Sequence, residues 1–229
     1  MAAGFFTKGI EYTLPHPKIP QRTVLLLCKV IEKAWKLLEE NPPSGFYRQS
    51  ADEDTITQML VEIIENRLRK NGDIAGFNSA MFGKVDREPK ITNVDKTHLD
   101  KMPDIVFDLK RERLPILSDQ DGLFVECKPV DRKHPIGSCY CKKGLIRFVN
   151  GSYAWAMQDA LMVGYVTHPY SFKKLASVLN DRKKGSIYNT TTHSKVDKCL
   201  IFRSNHDRDF KWPEGNGKAC AITISHLWL

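Results

Sequence analysis

No long apolar run occurs in the sequence: the longest stretch free of charged or strongly polar side chains, Ala160 to Val166, has seven residues. A bilayer-spanning helix needs roughly 18 to 20, so no transmembrane segment and no membrane partner are expected. The first twenty residues lack a basic segment followed by an apolar one, so no secretory signal is read and a cytoplasmic location is expected. Cysteine is scarce, with six in 229 residues, most of them in or beside apolar runs. That is too sparse for a disulfide scaffold, and the thiols are read as reduced. The Gly-x-x-x-x-Gly-Lys-[Ser/Thr] pattern is also missing, so any nucleotide-driven motor must be a separate NTPase or helicase partner. Internal repeats and low-complexity tracts are absent.

What the chain has in excess is positive charge: 35 Lys and Arg against 27 Asp and Glu, a net +8. A surplus of this size makes phosphate-rich partners plausible. The length suits one good-sized domain with an appendage. Residues 1 to 21, with Pro15, Pro17 and Pro20, read as an extended arm leading into a helix over about 22 to 40, which Asn41-Pro42-Pro43 ends. Residues 1–49 are therefore set apart as an arm and helix, packed on or peripheral to a main domain over 50–229.

The spacing of Ile56, Met59, Leu60, Ile63, Ile64 and Leu68 predicts a helix from Ala51 to Lys70. Ser50-x-x-Glu53 has the form of a capping box at its start. Glu53 falls inside the apolar arc, and an acid on the core side of a helix needs a partner or a task. Strands are expected over a mixed stretch from Phe77 to Val85, over 103–109 and over 122–128, the last two as an antiparallel pair closing on Asp119-Gln120-Asp121-Gly122. Lys143 to Asn150 has helical spacing, and Ser152 to Val166, apolar on nearly every side, is read as a buried helix packed on the sheet. A short helix over 171–179 and strands over 199–202 and 219–227 follow.

In an extended strand Glu126 and Lys128 project from the same face. Asp104 starts the neighbouring strand just after Pro103, and pairing brings it beside Glu126. Two adjacent carboxylates repel unless a cation neutralises them. Mg²⁺, or Mn²⁺ in its place, suits such a pair because it often takes one or two protein carboxylates plus a substrate phosphate. Lys128 would then position water and stabilise the charge that builds at phosphorus.

With this set, Pro103-Asp104 followed by Glu126-Cys127-Lys128, the chain resembles the PD-(D/E)XK nuclease superfamily. The resemblance extends to an upstream helix acid, matched by Glu53, and to the segment Gly144 to Tyr153 after the signature, and it spans roughly residues 50 to 166. It implies a restriction-endonuclease-like α/β fold, a mixed central sheet flanked by helices. It also implies metal-dependent hydrolysis of DNA, or less often RNA, with Asp104 and Glu126 as metal ligands, Lys128 as the charge-stabilising residue and Glu53 as an auxiliary acid. Among its members the chain is most similar to small, divergent nucleases encoded with bacterial defence or restriction systems. Lys142, Lys143 and Arg147 are candidate phosphate contacts. The expected partners are DNA, an NTPase or helicase and a second copy of the chain; the alternative is a nuclease-like subunit that binds nucleic acid or a partner without cutting.

Decoys exist at Glu88-Pro89-Lys90, Asp108-Leu109-Lys110, Asp131-Arg132-Lys133 and Asp181-Arg182-Lys183, but only Glu126 and Lys128 end an apolar strand downstream of a Pro-Asp strand. Cys139, Cys141 and His134 invite a zinc reading, yet no second Cys/His pair has suitable spacing. Asn205-His206-Asp207-Arg208 and Ser225-His226 suggest histidine chemistry without fixing a nucleophile. Gln158 is read as a core hydrogen-bonding group ahead of a site residue.

Overall fold

The computed structural model describes residues 13–48, 50–111, 116–167, 171–183, 185–196, 201–213 and 217–229. Its helices are α1 (Gln21–Glu40), α2 (Glu53–Ile63), α3 (Ile146–Val149) and α4 (Phe172–Leu179), and its strands are β1 (Phe82–Arg87), β2 (Ile105–Leu109), β3 (Gly122–Val130), β4 (Asp159–Val166), β5 (Thr190–Lys195), β6 (Ile201–His206) and β7 (Ile222–Trp228). One seven-stranded mixed sheet runs in the order β1-β2-β3-β4-β7-β6-β5. The fold is thus α/β, with its parallel pairs β3–β4 and β4–β7 at the centre and antiparallel hairpins on both sides.

Strand β2 pairs with β3 in the expected antiparallel sense, Ile105 opposite Val125. Helix α1 buries Val24, Leu27, Val30, Ile31, Ala34 and Leu38 in the same apolar core as the sheet. The Ala51–Lys70 helix divides in two: α2 passes into a wide π-helical stretch over Ile64–Arg69. The capping box does not form. Asp52 is the N-cap, its carboxylate accepting from the Thr55 amide at 2.8 Å, while the Ser50 hydroxyl turns to the Tyr47 carbonyl. Asp52 is the better cap because it reaches the amide three residues on, and Glu53 is left free to point elsewhere.

The largest departure is Ser152 to Val166, which is a buried turn followed by strand β4 and not a helix. A central parallel strand is covered on both faces, so its sequence is a continuous apolar run with no alternation, as a buried helix's is. Gly151 (φ 76°) and Ala154 (φ 47°) take left-handed conformations that break a helix at once. The turn's carbonyls find a donor in Arg208, fully buried, whose guanidinium reaches Ala154, Trp155 and Met157 at 3.0–3.2 Å. Gln158 donates to the His16 carbonyl at 2.8 Å, a structural bond tying the arm to this turn.

Lys143 to Asn150 is helical, as the tail of a ten-residue π-helical segment over Ile136–Leu145 that continues into α3. Strand β5 carries no apolar alternation and is not foreshadowed in the sequence. The strand expected from Cys199 is β6, Cys199 and Leu200 lying outside the described residues. No helix among the described residues is long and apolar enough to cross a membrane.

Candidate active site

In the second half of β3, which runs on past the expected end at 128 to Val130, the backbone alternation puts Glu126 and Lys128 on one side, and the β2–β3 pairing puts Asp104, the residue just before β2, near them. The Asp104 carboxylate is fixed by the Cys127 amide. Helix α2 supplies Glu53 from its first turn. All three acids meet one ammonium: Lys128 Nζ lies 2.5 Å from Glu53 Oε1, 2.9 Å from Glu126 Oε1 and 3.5 Å from Asp104 Oδ2, and also bonds the Cys127 carbonyl at 2.7 Å. Asp104 and Glu126 are therefore joined through Lys128, each with one carboxylate oxygen within 3.5 Å of its ammonium.

Arg147 completes the cluster. Its guanidinium bonds Glu126 Oε1 and the Tyr153 hydroxyl, both at 2.8 Å, and Tyr153 in turn donates to the Met102 carbonyl at 2.7 Å. This tether between the π-helical arm, the turn and the strand entry was not legible in the sequence, where Arg147 is read only as a candidate phosphate contact and Tyr153 only as the end of the segment after the signature. A glycine lets the arm come so close. A Cβ at Gly144 would lie 2.7 Å from the Met162 methyl and 3.4 Å from the Cγ atoms of Glu126 and Lys128.

Burial governs the electrostatics. Glu126 is fully buried, and desolvation together with the Asp104 charge pushes its carboxyl up to about 8 despite Lys128 and Arg147. Burial raises Asp104 and Glu53 as well, with Lys128 opposing. For Lys128 burial works against the charge, but Glu126, Asp104 and Glu53 outweigh it and hold the ammonium protonated. Three acids face two bases, which leaves one negative charge uncompensated once all are ionised. Glu126 Oε2 is buried with no hydrogen-bond partner.

The unpaired Glu126 oxygen, in a carboxyl that also feels the Asp104 charge, is a hard donor of the type that a divalent cation takes. Among the described residues no group of three or more His, Cys, Asp or Glu side chains is arranged as a metal cage, and Mg²⁺ does not require one, because it keeps several waters and accepts as few as one or two carboxylates.

Glu53, Lys128 and Arg147 of the cluster line a cleft of about 740 Å³, together with Lys133, His134 and Lys143. Asp104 and Glu126 are not among the cleft's lining residues and meet it only through Lys128. Of the three predicted phosphate contacts, Lys143 and Arg147 face the cleft, whereas Lys142 is exposed and is not among the cleft's lining residues. Arg147 is, in addition, committed to Glu126.

Of the other motifs, Cys139 and His134 border the same cleft, but no group of three or more His, Cys, Asp or Glu among the described residues is gathered to hold a metal. Cys141 is buried in the core, which drives its thiol up to about 12, and His134 Nδ1 is held by Asp131 at 3.0 Å. The two histidine motifs meet through a residue that sequence reasoning missed: Ser204 Oγ bonds His206 Nε2 at 2.7 Å and His226 Nε2 at 2.8 Å, and His226 Nδ1 reaches the Tyr140 hydroxyl at 3.0 Å. Ser204, His206, His226 and Tyr140 are all fully buried, so this is a satisfied core network and not a hydrolytic site.

No family model, curated protein or solved structure matches the chain.

Proposed function

We propose that the protein is a metal-dependent nuclease that hydrolyses phosphodiester bonds of DNA, of the PD-(D/E)XK kind. The observation that carries this reading is the convergence of Glu53, Asp104 and Glu126 on the ammonium of Lys128, which with Glu53 lines a cleft edged by basic side chains. Asp104 and Glu126 would hold Mg²⁺ or Mn²⁺, which when bound supplies a more acidic water and an electrophilic partner for a phosphate oxygen. Glu53 and the Cys127 carbonyl keep Lys128 aimed from its other side, so that its charge faces the phosphate whose negative charge grows in the transition state. Arg147 and Tyr153 hold the Glu126 carboxylate in place, and Lys143 on the cleft wall draws the backbone in. A setting in bacterial defence or restriction, with an NTPase or helicase partner or a second copy, goes with the same proposal.

One observation favours a second reading, a binding subunit that does not cut: Lys128 already neutralises much of the acid cluster it would serve. Incubation of the purified chain with plasmid, linear duplex, single-stranded DNA and RNA in Mg²⁺, Mn²⁺ or EDTA separates the two. The nuclease reading expects metal-dependent cleavage of DNA; binding without cleavage in either metal gives the binding reading precedence.

A further inference from the structure

The cleft is also lined by two aromatic side chains, Trp35 and Tyr165, both largely buried. Tyr165 and Trp35 stack with ring centroids 5.6 Å apart and planes 9° from parallel, and the Arg48 guanidinium covers Trp35 at 4.9 Å from its centroid. All three line the cleft. Arg48 is the outermost of the column, 42% exposed, and is held there by Glu39 and the Val166 carbonyl. Its neighbour Tyr47 is 69% exposed and lines an adjoining hollow of about 300 Å³ that shares Trp35 and Arg48 with the cleft. A guanidinium seated over an indole and partly exposed at the cleft is a surface that a nucleobase could cover, since arginine planes and aromatic rings are the surfaces on which unpaired bases stack.

Size and depth point the same way. A cleft of about 740 Å³ is of small-ligand dimensions, in the roughly 300–1,000 Å³ range of pockets that enclose one compact molecule. Lys128, which lines it, is recessed at 12% exposure, and the Glu126 that Lys128 pairs with is fully buried. A duplex is stiff over about 50 nm and presents its phosphates on the outside of a cylinder; it cannot dip one of them to Lys128 without deforming. A flexible single strand can, with its backbone along Lys143 and Arg147 and its bases turned to Arg48 and Trp35.

We infer that the cleft takes single-stranded DNA, with one base stacked on Arg48 above Trp35 and the adjacent backbone lowered toward Lys128. This inference rests on the nuclease reading for its chemistry but not for its binding geometry.

The test uses the full chain and a short oligodeoxynucleotide carrying 2-aminopurine, whose fluorescence falls on stacking, as a single strand and as a blunt duplex. Binding is measured in EDTA and cleavage in Mg²⁺ and Mn²⁺. The expected result is single-strand affinity at least about tenfold above that for the duplex, with quenching, and cleavage confined to the single strand. Arg48→Lys, which keeps the charge and removes the plane, should weaken single-strand binding by about tenfold, the size of one base stack, and abolish the quenching. Its salt dependence should stay unchanged, because the charge at this position is the same and every phosphate-facing base remains. Unaltered quenching in Arg48→Lys, or a duplex bound or cut as well as the single strand, overturns the inference and leaves the nuclease reading standing. Quenched single-strand binding without cleavage supports the inference and removes the nuclease reading. Failure to bind either form overturns the inference.

Discussion

Glu126 carries the site's energetic burden. A carboxylate with no exposure costs several kcal/mol to ionise unless its surroundings compensate, and here Lys128 and Arg147 do so only for one of its two oxygens. Glu126→Gln removes the charge and keeps the shape. It should abolish metal-induced stabilisation while leaving the metal-free protein at least as stable as wild type at pH 8, measured by thermal melts with and without Mg²⁺. In contrast, Glu53→Gln should preserve that stabilisation and lower kcat, since Glu53 acts by holding Lys128. An unchanged kcat in Glu53→Gln would assign Glu53 to helix structure alone. The acid, acid, lysine set was legible in the sequence because strand alternation and a neighbouring Pro-Asp strand fix it locally. The Arg147–Tyr153 tether was not, because it depends on a turn whose path no periodicity describes.

At the scale of elements, the active centre depends on how closely the π-helical arm approaches β3. Gly144→Ala would set a methyl against Met162, Glu126 and Lys128. Overpacking of this kind costs typically about 1–3 kcal/mol, so the variant should fold, melt a few degrees lower and lose cleavage out of proportion to its stability. Activity retained beside the lowered melting temperature would show that the arm does not set the site. The start of α2 gives a sharper contrast: Asp52→Ala should lower the melting temperature and Ser50→Ala should not, because Asp52 makes the capping bond. The capping-box pattern misled because two oxygen-bearing residues lie near that terminus and spacing alone does not choose between them. The β4 segment misled for a deeper reason. Strands in the middle of a parallel sheet carry no polar face, and the breaks that mark this one, the left-handed Gly151 and Ala154, are conformations that the sequence names only in part.

Across the whole molecule two sets of buried groups set the response to pH. Glu126 is raised from 4.5 to about 8, so in the metal-free state it binds its proton more tightly folded than unfolded, and the stability it contributes below pH 4.5 is lost as pH rises through about 8. His206 and His16 are lowered from 6.5 to about 4, chiefly by burial; what they contribute above pH 6.5 is lost as pH falls through about 4. The melting temperature of the metal-free protein should peak near pH 6.5 and fall on both sides, with Glu126→Gln flattening the alkaline side and steepening the rise between pH 4.5 and 6.5. A metal that binds the ionised pair at 100 times its dissociation constant adds about 2.7 kcal/mol, which for a chain of this size raises the melting temperature by roughly 5–10 °C. That rise should be larger at pH 8 than at pH 6, where Glu126 must first give up its proton.

The central claim is that Lys128 serves chemistry at phosphorus and is not simply the counterion of a buried acid cluster. Lys128→Met, measured for both binding and cleavage on one single-stranded DNA in Mg²⁺, tests it most directly. Removal of a charge that acts only in the transition state should lower kcat by about 10²–10³ while binding stays within a few-fold. Cleavage by the Lys128→Met protein at the wild-type rate, or a wild type that binds this DNA and cuts it in neither Mg²⁺ nor Mn²⁺, would contradict the account.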